Sequence, residues 1–191
     1  MPLKTFEVFV IDPPWPQEKG GVRKTRPNQE RSLDYQTMDV PKIFELLEQS
    51  VLPQTTENHC VFLWLIDKYL HEGELEMIRR GYKRHARFVW DKENGVAPAF
   101  TVRYSHEYLT WFYKPKLLPI EIKERGNFTT VIRAKGREHS RKPDEAYAMI
   151  DAIYPSLTKI DVFSREKRKG WEQFGNEVNK FTSKELKGDS L

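Results

Sequence analysis

Short apolar runs recur along the chain, and between them lie segments whose apolar positions return every three or four residues. FEVFVI (6–11), CVFLWLI (60–66), RFVW (87–90), EYLTWFY (107–113) and TKIDVF (158–163) have the length and near-continuous hydrophobicity of strands covered on both faces. KIFELLEQ (42–49) follows Asp39 as a helix N-cap, carries Pro41 in its first turn and aligns Ile43, Leu46 and Leu47 on one face. KPDEAYAMIDAIYP (142–155) is more regular. Ala146, Met149, Ile150 and Ile153 form its apolar stripe, acids lie near its start and Pro155 ends it. Residues 67–80 form a third helix candidate, weakened by Gly73. Strands alternating with helices predict an open, mostly parallel α/β sheet, with no internal repeat or low-complexity tract.

Three stretches break the alternation. Residues 12–38 are long, polar, basic and rich in Gly and Pro, and residues 93–105 and 115–129 are shorter segments of the same kind. Such loops in a compact domain are often functional. Ligands of open α/β sheets bind beyond the carboxyl ends of the strands, where FVIDPPWPQ (9–17) stops the first strand with an acid, two prolines and a tryptophan. Asp12 supplies an acceptor, and Pro13 and Pro14 remove two N–H donors while restricting φ, so the edge offers only carboxylate and carbonyl oxygens. An exocyclic amine suits it, with Trp15 as a face on which the ring bearing that amine could stack. A plain strand end with a polyproline turn and a packed Trp15 is the structural alternative.

Composition narrows the partners. The chain of 191 residues is expected to form one domain over 1–180 with a polar tail at 181–191, and no run resembles a secretory or membrane-spanning segment. The one cysteine, Cys60, lies in an apolar run and reads as a buried thiol; the lack of intrachain disulfides fits a cytoplasmic protein. The five histidines show no metal-ligand spacing, and there is no phosphate-binding glycine loop. Basic clusters at 18–31, 133–142 and 164–170 accompany eight Tyr, five Trp and eleven Phe, a combination that leans towards nucleic acid. Trp64, Trp90 and Trp111 are expected in the core.

DPPW after an apolar strand resembles the catalytic motif of adenine N6-methyltransferases, in the family named for the seventy-kilodalton subunit of the mRNA adenosine methyltransferase. LDYQTM (33–38), VFLWL (61–65), GYKRHARFVWDKEN (81–94), SRKPDEAYAMID (140–151) and KIDVFSRE with GWEQFGNEV (159–178) are similar to further ordered segments of that family. The resemblance implies a permuted Rossmann-like fold with the catalytic motif before the cofactor motif, and S-adenosylmethionine as methyl donor. It implies a catalytic edge at Asp12, Pro13, Pro14 and Trp15, and cofactor contacts at Ile11, Asp12, Lys92, Asp161, Val162, Phe163, Arg165, Asn176 and Glu177. Tyr35 would border the target, and Lys19, Arg23, Lys24, Arg26, Arg137 and Arg141 would hold nucleic acid, DNA before RNA. Lys167, Arg168, Arg141 and Ser164 depart from the family pattern. A fold kept as an inactive nucleic-acid-binding platform, a small-molecule amine methyltransferase, and assembly into homo- or hetero-oligomers are the other readings.

Overall fold

The computed structural model describes residues 4–16, 37–95, 101–137 and 141–180. Seven strands form one sheet: β1 (Phe6–Ile11), β2 (Thr55–Leu65), β3 (Lys83–Asp91), β4 (His106–Lys114), β5 (Val131–Arg133), β6 (Lys159–Val162) and β7 (Trp171–Phe174), in the order β5-β3-β4-β2-β1-β6-β7. The pairs β1·β2, β1·β6, β6·β7 and β3·β5 are parallel, whereas β4 runs antiparallel to both neighbours. Six strands therefore point one way and β4 the other. The residues following β1, β2, β3, β6 and β7 share an edge with the start of β4, which places Asp12, Lys92, Glu107, Phe163 and Gly175 at the same end of the sheet.

Helices cover both faces. Alternate β-residues point to opposite sides, so Phe9, Ile11, Val61, Leu63 and Leu65 pack with Ile43 and Phe44 of α1 (Val40–Leu46) and Met77 of α2 (Leu70–Arg79). Val8, Val10, Cys60, Phe62 and Trp64 face the other way, against Ala146, Met149, Ile150 and Ile153 of α3 (Asp144–Ile153). Trp64, Trp90 and Trp111 are buried there, as the sequence predicts. Burial pushes the Cys60 thiol up, which keeps it protonated. No helix among the described residues is long and apolar enough to cross a membrane.

The elements differ from the sequence pattern at instructive places. Asp39 precedes α1 without a side-chain cap, and the helix runs on through a π-helical turn at Leu47–Val51. Gly73 lies inside α2 because a Cβ there would meet Leu65 Cδ2 at 2.4 Å and Trp15 at 3.3 Å. The glycine lets the helix approach the end of β2. The periodicity does not predict β5 and β7: Val131–Arg133 is three residues long, and Trp171–Phe174 is four residues with two polar residues between its aromatic ends.

Candidate active site

The chain leaves β1 with Asp12 N–H donating to Val162 O of β6 at 3.1 Å, so the aspartate is anchored between the two central parallel strands. Trp15 N–H closes a tight turn onto Pro13 O at 2.8 Å, and Met38 N–H donates to Pro14 O at 2.9 Å. Both proline carbonyls thus have one lone pair engaged, leaving the carboxylate as the chief acceptor of the edge. Trp15 is only 3% exposed. Its Nε1 donates to Trp64 O at 2.9 Å and its ring stacks on Tyr69 at 5.6 Å. The stacking platform expected of Trp15 is thus a largely buried side chain packed against Tyr69, Phe44 and Gly73 of α2, while it remains among the residues lining the cleft beside Asp12.

A cleft of 470 Å³ opens beside Asp12. Its apolar wall includes Met38, Leu46, Ile66, Phe163 and Phe174, and its polar groups are Asp12, Glu107, Lys142, Arg165, Asn176 and Glu177. The size and the mixed lining suit a ligand with apolar and charged parts. Across from Asp12, Phe163 has φ 60°, a strained value for a side chain of its size. Ser164 N–H donates to Phe174 O at 3.2 Å. A Cβ on Gly175 would lie 3.0 Å from Ser164 N, so the glycine permits the two loops to interlock and to present Asn176 and Glu177.

Charge at the site is organised by a lysine that the motif reading did not single out. Lys142 Nζ lies 2.9 Å from Asp12 Oδ1 and 3.0 Å from Glu107 Oε2, while Arg165 Nη2 approaches Asp12 Oδ2 at 3.4 Å. Lys92 Nζ pairs with the other oxygen of Glu107 at 2.6 Å. Burial alone would lower the Lys142 pKa, but Asp12 and Glu107 outweigh it and raise the ammonium above its ordinary range. Burial would likewise raise Glu107, and Lys142 and Lys92 overcome it to hold that carboxyl below the usual carboxylate range. The clue available in the sequence was Glu107 within a strand otherwise apolar, because a buried carboxylate requires a cation.

Several sequence-predicted site residues are placed differently. Ile11 and Val162 are fully buried strand residues of the sheet core, so their side chains are out of reach of a ligand. Lys92 serves Glu107 and is not among the residues lining the cleft. Asp161 does not line that cleft but lines a small adjoining pocket together with Asp12 and Arg165; it is paired in register with Val10 and accepts from Tyr147 OH at 3.2 Å, with Arg168 Nε 3.9 Å away. Those protein groups supply a partner for the buried carboxylate within the fold. Burial pushes the Asp161 carboxyl up to about 7, the Arg168 charge and hydrogen bonds offsetting only part of the cost. Arg137 donates to Asp144 at 2.7 Å and Arg141 Nε to Glu166 at 2.8 Å. These two arginines, expected to hold phosphates, have carboxylate partners in the fold itself. Arg168, one of the departures from the family pattern, joins both acids, reaching Asp144 at 2.9 Å and Glu166 at 3.0 Å. Tyr35, Lys19, Arg23, Lys24 and Arg26 lie outside the described residues, as does the tail at 181–191.

Fold and cleft together define an α/β protein that presents a charged, ligand-sized site at the carboxyl edge of a mostly parallel sheet. The chain belongs to the MT-A70 family, which matches residues 6–177; methyltransferases of this family use S-adenosylmethionine as methyl donor. Over 182 residues it is 30% identical to an N(6)-adenosine-methyltransferase MT-A70-like protein of Arabidopsis thaliana, covering 93% of this chain and 24% of the plant protein. It is 27% identical to the type II methyltransferase M.MunI of a Mycoplasma species, over 93% of this chain and 80% of that protein. With the human N(6)-adenosine-methyltransferase catalytic subunit METTL3 the identity is 25%, over 93% of this chain and 29% of the human one. The chain thus spans about a quarter of the plant relative's length.

Proposed function

We propose that this protein transfers a methyl group to the N6 amine of adenine in nucleic acid, with S-adenosylmethionine as donor and the catalytic strand preceding the cofactor strand in the chain. The observation that carries the reading is the Asp12 carboxylate, held at the cleft by Lys142 and Arg165. The cleft suits the donor chemically. Lys142 or Arg165 would match its carboxylate, Asn176 and Glu177 offer acceptors for ribose hydroxyls, and Phe163, Phe174 and Met38 give apolar surface for the adenosine. When bound, the donor supplies an electrophilic methyl on a sulfonium.

Asp12 acts on the acceptor amine. The nitrogen lone pair of adenine is delocalised into the ring, so an N–H donating to the carboxylate favours rehybridisation and orients the nitrogen for attack. Lys142 and Arg165 hold the carboxylate in one orientation. The proton leaves during or after methylation, once the nitrogen has become acidic, so Asp12 need not be a strong base. An adenine within a duplex must be flipped or unpaired to reach this position.

DNA is favoured over RNA by analogy with the type II methyltransferase, most of whose length this chain spans; the relatives named adenosine methyltransferases keep RNA as the alternative. The test is methyl transfer from labelled S-adenosylmethionine to single-stranded DNA, duplex DNA and RNA in parallel, with digestion to identify the modified base. N6-methyladenine is expected in one pool, and Asp12→Ala is expected to abolish it while retaining the circular dichroism of the wild type. Wild-type turnover by the variant would refute the role of Asp12. Folded wild-type protein that binds nucleic acid but transfers nothing would replace the enzyme with a binding platform.

A further inference from the structure

Residues 92–95 and 101–105, which belong to the connection from β3 to β4, and residues 133–137 at the end of β5 lie at this edge of the sheet, and of their side chains only Lys92 and Arg137 take part in the charge pairs described above. Gly136 N–H donates to Lys92 O at 2.8 Å, and Lys92 N–H to Ser105 O at 3.0 Å, which ties residues 92–95, 101–105 and 133–137 into one surface. That surface carries two apolar side chains with no cover among the described residues: Val102 is 70% exposed and Tyr104 64% exposed. Beside them stand Arg103, Arg133 and Lys135, all exposed. No carboxylate among the described residues pairs with these three cations. Arg103 instead donates to Gly95 O at 2.5 Å, which directs its chain along the loop. Glu93 is the exposed acid on the same loops.

We propose that this surface binds the unpaired strand flanking the target base, with Tyr104 stacking a neighbouring nucleobase and Arg103, Arg133 and Lys135 contacting its phosphates. The inference rests on the nucleic-acid reading of the site and names the part of the molecule that grips the strand. Its position supports it. Glu107, whose carboxylate lines the cleft and shares Lys142 with Asp12, is three residues along the same chain from Tyr104, a span of at most about 11 Å. A base engaged at Asp12 therefore leaves its flanking nucleotides within reach of the ring. An exposed aromatic beside cations that have no carboxylate partner among the described residues is the combination that holds single strands with little sequence preference, because every base has a face to stack and every nucleotide a phosphate.

The test is a titration of the full chain with a fluorescein-labelled single-stranded oligodeoxynucleotide containing adenine, followed by anisotropy. Tyr104→Ala should weaken binding roughly ten-fold, within the range that stacking on one aromatic provides, and Tyr104→Phe should bind as the wild type does. A 2-aminopurine placed next to the target adenine should be quenched on binding wild type and Tyr104→Phe but not Tyr104→Ala, a readout that a change in folding alone would not reproduce. Wild-type binding with an unaffected Tyr104→Ala overturns this inference and leaves the proposed function standing. Failure of the wild type to bind DNA or RNA overturns both. Unchanged oligonucleotide binding with a reduced sedimentation mass in Tyr104→Ala would assign the surface to a protein contact and overturn it as a strand grip.

Discussion

Asp161 and Trp15 are legible in the sequence as unusual, and the fold gives each of them protein partners. An aspartate in an apolar strand requires a partner, and Tyr147 and Arg168, from α3 and the loop after β6, supply one within the fold. Because its pKa rises from 3.8 to about 7 in the fold, Asp161 binds its proton more tightly folded than unfolded. Its contribution to stability is therefore fully present below the unfolded pKa and is lost as pH rises towards 7. Removing the charge should help at high pH. Asp161→Asn keeps an acceptor for Tyr147 and is expected to gain stability relative to wild type between pH 4 and pH 8, by up to about 4 kcal/mol. Urea unfolding of both proteins at the two pH values measures this, and an unchanged difference would show that Arg168 already compensates the buried charge.

At the scale of elements, α2 is set by contact rather than propensity. Ala exceeds Gly in helix preference by about 1 kcal/mol, so Gly73→Ala would stabilise an isolated α2. In the folded protein its Cβ would lie 2.4 Å from Leu65 Cδ2, and because Leu65 is fully buried the clash can be relieved only by repacking its neighbours. Overpacking of this kind costs about 1–3 kcal/mol, so a net loss is expected, readable as a lower Tm in a thermal melt; a raised Tm would mean that the end of β2 yields easily. The strands that read well from sequence, β1 and β6, are central and flanked by parallel neighbours on both sides. β5 and β7 occupy the two edges, where one neighbour suffices and short or polar segments can pair.

The whole molecule carries a formal charge of +4, and the fold decides how much of its basic surface is available. Arg137, Arg141 and Arg168 belong to a lattice with Asp144 and Glu166 that joins the start of α3 to the loop after β6. They act as struts. The basic segment 18–31 then becomes the expected source of the remaining phosphate contacts. Replacing Arg23 and Lys24 by Ala should lower the slope of log affinity against log salt by about 2 while altering Tm little. Salt titrations of oligonucleotide binding measure it, and an unchanged slope would clear that segment of the role.

What the sequence determined by itself is local: the periods that make strands and helices, the α/β alternation, and an aspartate at the end of a central strand followed by residues that cannot donate. These follow from spacings within a few positions of one another. The tertiary structure decided which cations neutralise that aspartate, since Lys142 and Arg165 come from parts of the chain more than a hundred residues away. It also turned Trp15 inward and paired two of the arginines expected at the ligand. Burial and charge pairing depend on distance in space, and only the packing of β1 against β2 and β6, with α3 laid across them, brings those groups within reach.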